Sequence, residues 1–129
     1  MKRGNSVNQE TKSFPIIQID LDNHNTSKFD QTVIEAVDLS FSKLGVRVKE
    51  ALYSSLFAEY KLNIQNIPVM IEEFVEALEK IFGSSSLLLE MDVMKTIRKK
   101  IPEFKFEAES SDLLFTSYLK SLKRFLEYS

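Results

Sequence analysis

The sequence predicts an all-α domain of about five helices in a compact orthogonal or bundle-like arrangement, with an extended N-terminal arm. Three observations carry that expectation. Apolar residues recur at helical spacing, most cleanly at Ile71, Phe74, Val75, Leu78, Ile81 and Phe82, with Glu72, Glu73, Glu76, Glu79 and Lys80 on the other face. Helix-ending residues, Gly45, Gly83 and Pro102, fall where these periodic runs stop. Only Phe14–Asp22 alternates at strand spacing, and a lone strand has no sheet to join. The stretch Val46–Gly83, helix–connector–helix–stop, is the expected seed of the core.

With 129 residues, 43% hydrophobic and 28% charged, the chain has the length and composition of one soluble globular domain. Residues 1–27 form the expected arm and residues 28–129 a single helical domain. Residues 1–13 are polar and aperiodic. In FPIIQIDLD, Ile17, Ile19 and Leu21 alternate with Gln18, Asp20 and Asp22, while Pro15 biases Phe14 towards an extended conformation. This segment either lies along the helical body or pairs with another subunit or a foreign sheet edge.

Asn23–Gln31 supplies turn and capping residues for a first helix over about Phe29–Leu44. Its expected inner face is Val33, Val37, Phe41 and Leu44, with Ile34 beside it. Gly45 ends it. The second helix, about Val46–Leu62, places Val48, Leu52 and Leu56 on one line and Tyr53, Phe57 and Tyr60 on the next. So wide an apolar face predicts a central helix with more than one partner.

After the connector Asn63–Ile67, Pro68 suits the first position of a third helix running to Phe82. Ser84, Ser85 and Ser86 are candidate caps for a fourth, about Leu87–Ile101, with Leu87, Leu88, Met91, Met94, Ile97 and Ile101 inward. Arg98, Lys99 and Lys100 complement the dipole of its last turn. In the linker Glu103–Glu109, Phe104 and Phe106 point to one side if it runs extended. Ser110, Ser111 and Asp112 open a fifth helix to Tyr128, with Leu114, Tyr118, Leu122, Phe125 and Leu126 inward.

Net charge is −2, yet the charges are segregated: residues 64–92 hold six acids and one base, residues 93–106 five bases and one acid. A short turn near residue 85 predicts an antiparallel hairpin in which Glu72 and Glu73 meet Arg98 and Lys99 as structural ion pairs.

No constellation in the chain points to chemistry. There is no Cys, which excludes thiolate metal sites, Cys nucleophiles and disulfides. No apolar run reaches the roughly 20 residues of a membrane-spanning helix, and no secretory signal is readable, so a cytoplasmic location is expected. Asp20, Asp22, Asn23 and His24 offer oxygen and imidazole donors but lack the spacing of a metal loop, and read as a polar turn. The glutamates of the third helix oppose its apolar stripe, unlike the inward Glu-x-x-His sites of helical bundles. One His and three scattered Gly supply neither a hydrolytic triad nor a phosphate loop. No catalytic residue, metal ligand or cofactor is therefore expected, and the chain is not read as an enzyme.

Leu44-Gly45, Val48-Lys49, Ala51 with Tyr53 and Leu56, Ile67-Pro68, Phe74 with Ala77-Leu78, Ile81-Phe82-Gly83 and Leu89-Glu90 form a dispersed pattern. Over about Val33–Phe125 it resembles a small archaeal family, the Nitrosopumilus-type output domain (fifth class). The resemblance implies a small helical domain, alone or attached to sensor-like modules, acting as a signalling output, with no catalytic residue to carry over.

The function expected is a non-enzymatic protein-interaction or signal-output module, homodimeric or bound to another protein. Its expected surface is Tyr53, Phe57, Tyr60, Leu113, Phe115 and Leu119. The alternative is a nucleic-acid-associated regulator contacting phosphates through Lys120, Lys123 and Arg124.

Overall fold

The computed structural model describes residues 27–106 and 114–127. Helix α1 (Lys28–Ser42) begins at Ser27, whose hydroxyl accepts a hydrogen bond from the Asp30 backbone N–H at 3.0 Å. Its chain of buried side chains, Phe29, Val33, Ala36, Val37 and Phe41 with Thr32 and Ser40, makes it the centre of the fold. Gly45, at φ 104°, then turns the chain through a backbone conformation that side-chain-bearing residues rarely adopt.

Helix α2 (Val46–Tyr60) follows; it meets both α1 and α3, as its wide apolar face predicts, but it is not central. Only Leu52 and Leu56 are buried, while Val46, Val48 and Phe57 face outward. Leu52 and Leu56 anchor it, with Tyr53 and Tyr60 of the second stripe half-buried against the core. Leu44, expected in the core, is exposed beyond the end of α1.

Lys61, left-handed at φ 59°, ends α2, and the Leu62 N–H reaches back to the Leu56 carbonyl at 3.0 Å. That cap swings Leu62 into the core. The Asn63 side chain accepts from the backbone N–H groups of Gln65 and Asn66, and the Asn66 side chain accepts from that of Asn63. This tight connector delivers Ile67–Val69 as a 3-10 turn, so Pro68 lies within that turn rather than at the start of an α-helix.

Helix α3 (Ile71–Phe82) buries Phe74, Ala77 and Leu78, with Ile71, Val75, Ile81 and Phe82 half-buried around them. Gly83 (φ 62°) and a second 3-10 turn, Gly83–Ser85, redirect the chain into helix α4 (Ser86–Lys100). Helix α5 (Leu114–Glu127) closes the core with Phe115, Tyr118, Leu119 and Leu122.

All regular structure among the described residues is helical, as the sequence predicts. The alternating segment Phe14–Asp22, the cap cluster Ser110–Asp112, Leu113 and the expected end of the last helix at Tyr128 lie outside the described residues.

The expected α3–α4 ion pairs do not form. The redirected α4 runs antiparallel along α1, pinned by Lys43–Asp92 at 3.0 Å and Lys100–Glu35 at 2.8 Å. Glu72 instead approaches Lys120 of α5 at 4.0 Å, in solvent. Glu73, Arg98 and Lys99 make no ion pair among the described residues.

Candidate interaction groove

Helix α4 carries two apolar stripes, and α1 takes one of them. Leu89, Val93 and Ile97, spaced i, i+4 and i+8, are buried with Ser86 and Glu90. Leu87, Leu88 and Met91, expected inside, are 59%, 69% and 57% exposed, and Met94 lies at the margin. The helix is thus turned about a quarter of a revolution from the expected orientation, at about 100° per residue.

The chain beyond α4 builds a wall over this outer face. Pro102 ends the helix, and the Phe104 N–H bonds the Ile101 carbonyl at 3.1 Å. Phe104 is buried, with its ring 5.3 Å from Tyr118, edge-on, and 5.2 Å from Phe125. Phe106 meets the same Tyr118 ring at 5.2 Å. The two linker aromatics therefore do share one side.

Between α4, this wall and the first turns of α5 lies a groove of about 710 Å³. Leu88, Met91, Met94, Phe104, Phe106, Leu114 and Tyr118 supply its apolar lining, and Lys95, Arg98 and Lys105 its cations. The single acid there, Asp92, is already engaged. It is held below the usual carboxylate range chiefly by the neighbouring Ser40 hydroxyl and then by Lys43 and Lys95, against the opposing effect of burial. Ser40 Oγ is fully buried and makes no hydrogen bond of standard geometry among the described residues, so its effect on Asp92 is that of a nearby dipole. Burial pushes the Tyr118 phenol up, opposed by the nearby Arg98 charge. The groove is apolar, with a rim of three cations against one acid.

A second hollow of about 310 Å³ adjoins it, sharing Met91, Met94 and Leu114 and reaching Glu79, Leu87 and Glu90. Burial of Glu90, with the Glu79 charge beside it, raises its carboxyl above the ordinary 4.5. The folded chain therefore holds this proton more tightly than the unfolded chain. The ionised form costs stability at neutral pH, and that cost vanishes as pH falls below the unfolded value. Glu90→Gln is expected to raise the urea midpoint at pH 7 and to leave it unchanged below about pH 4. An equal gain at both pH values would show that the carboxylate charge is not the cause.

The expected interaction surface is largely consumed by the fold. Phe115 and Leu119, at 3% and 1% exposed, are core residues and present no surface. Tyr53 packs on Phe41 at 5.4 Å between ring centroids and donates to Asp38 Oδ1 at 2.7 Å, alongside a Lys49–Asp38 contact at 2.9 Å. Its phenol is pushed far above the usual value, first by burial and then by that carboxylate. Tyr60 is half-buried against the core, and only Phe57 stands free. Of the basic trio of Lys120, Lys123 and Arg124, all exposed, Lys120 faces Glu72 and Lys123 lies 6.0 Å over the Phe29 ring.

Asp20, Asp22, Asn23 and His24 lie outside the described residues, and among the described residues no three acidic or histidine side chains gather as metal ligands would. No helix of the described residues is long and apolar enough to cross a membrane. Sequence reasoning missed Leu88, Met91, Lys95 and Lys105 as a surface. The available signal was the competing stripe Leu89, Val93 and Ile97. Comparison with known protein families, characterised proteins and solved structures finds no match for the chain.

Proposed function

We propose that this chain is a non-enzymatic protein-interaction module, a signalling output unit of the kind the family resemblance implies, that binds through the groove and outer face of α4. One observation carries the reading: Leu87, Leu88 and Met91 stand in solvent beside a 710 Å³ groove lined by three cations, Lys95, Arg98 and Lys105, and one acid, Asp92. Contiguous apolar surface of this kind marks a binding site more often than a solvated face. The cation rim selects partners that bring acidic residues with their apolar ones.

The partner is a second copy of the chain or another protein, in the cytoplasm, where a chain without cysteine needs no oxidant to reach its final form. A nucleic-acid role has weaker support, because Lys120 faces Glu72 of α3 and Lys123 lies over the Phe29 ring. Sedimentation velocity of the full chain at micromolar concentration tests the self-association. The wild type is expected to dimerise. Leu88→Glu is expected to weaken the dimer by at least about tenfold in Kd, as loss of roughly 1.4 kcal/mol at a contact requires. Because Leu88 is 69% exposed, helical content is expected to be unchanged. A wild type that stays monomeric would remove the homodimer.

A further inference from the structure

The groove has a candidate occupant within the same chain. Residues 17–22, IQIDLD, alternate three apolar residues, Ile17, Ile19 and Leu21, with Gln18, Asp20 and Asp22. We propose that this segment docks as an extended strand in the α4 groove of its own chain, its apolar side against Leu88, Met91 and Met94 and its aspartates on the cation rim. This rests on the groove being the binding surface proposed above, and not on self-association.

Length, reach and charge each support that occupant. The α4 floor from Leu88 to Arg98 spans ten residues, about 15 Å at 1.5 Å per residue. Ile17 to Leu21 spans about 13 Å extended, so three apolar side chains fit along it. The attachment point is close: Lys28, the first residue of α1, lines a hollow with Ile101 and Phe125, and the Phe125 ring is 5.2 Å from Phe104 of the groove wall. The seven steps from Leu21 to Lys28 cover up to about 23 Å, more than enough to pass that ring.

Two acids then meet a rim of Lys95, Arg98 and Lys105, whose long side chains can cover the strand edge while keeping their charges in water. The physical consequence is competition. A partner of similar chemistry must displace the arm, and the same contact made reciprocally between two copies would be an arm-exchanged dimer.

The absence of cysteine makes a direct test available in the full chain. Gln18→Cys is combined with Lys95→Cys, and in a control with Phe57→Cys on α2. Crosslinking by a short bismaleimide is followed by peptide mapping in dilute solution. The groove pair is expected to link within one chain at least about tenfold faster than the control pair, reflecting the raised effective concentration of a docked segment. Asp20→Lys with Asp22→Lys is expected to slow that link several-fold, and Arg98→Glu with Lys105→Glu to restore it. Equal rates for the two cysteine pairs would overturn the docking. A link found only between chains would overturn the same-chain assignment while leaving the dimer intact. A monomer in sedimentation with a fast intrachain link would do the reverse.

Discussion

Phe41→Ala is expected to cost about 3–5 kcal/mol of folding stability, the largest loss of any single truncation proposed for this chain. Phe41 is fully buried at the C-terminal end of α1, with its ring 5.4 Å from Tyr53 and 6.3 Å from Phe74. It therefore joins α1 to both α2 and α3, and no neighbour can collapse into the space without giving up its own contacts. Phe57→Ala on α2 removes a side chain of the same chemistry that is 60% exposed, and is expected to change stability by no more than about 0.5 kcal/mol. Urea denaturation of the two variants measures the contrast directly. Similar losses would mean that α2 is packed more deeply than its exposure implies.

Phe104→Ala is expected to cost a comparable amount, about 3–4 kcal/mol, and also to open the groove wall. The ring is buried between Tyr118 and Phe125 at 5.3 and 5.2 Å, so it is the most deeply anchored described residue of the linker. Phe104→Leu keeps most of the apolar volume and loses the aromatic pairing, which is worth about 0.5–1.5 kcal/mol per pair. The leucine variant is expected to recover more than half of the alanine variant's loss. In the Gln18/Lys95 crosslinking assay, Phe104→Ala is expected to slow the reaction even where the domain remains folded. Unchanged crosslinking with lowered stability would separate the wall's structural role from any role in docking.

Much of the fold was legible because its punctuation is local. Gly45 and Gly83 occupy positive-φ positions at the ends of their helices, and Ser27 caps α1 through its own side chain. The clean stripe of α3 put Phe74 and Leu78 inside, as their spacing requires. The linker aromatics Phe104 and Phe106 did turn to one side. By contrast, Pro68 suits a 3-10 turn as well as an α-helix, since either first turn leaves its missing N–H unused. That ambiguity cost the start of α3.

The site was the illegible part. A stripe of Leu87, Leu88 and Met91 and a stripe of Leu89, Val93 and Ile97 are equally apolar, and the buried Glu90 counts against the one that is actually inside. Similarly, Phe115 and Leu119 looked like extras beside a core stripe, yet α5 buries them.

By itself the sequence determined that the chain is helical, where most of its helices begin and end, and that no cysteine chemistry is open to it. Tertiary structure alone decided that α1 rather than α2 sits centrally, that α4 pairs with α1 rather than α3, and which apolar stripe of α4 meets solvent. Helix formation and capping depend on a residue and its neighbours within about four positions, so the sequence contains them. The buried face of a helix depends on the partner packed against it across the fold, and for α4 that partner is α1, far from it in sequence.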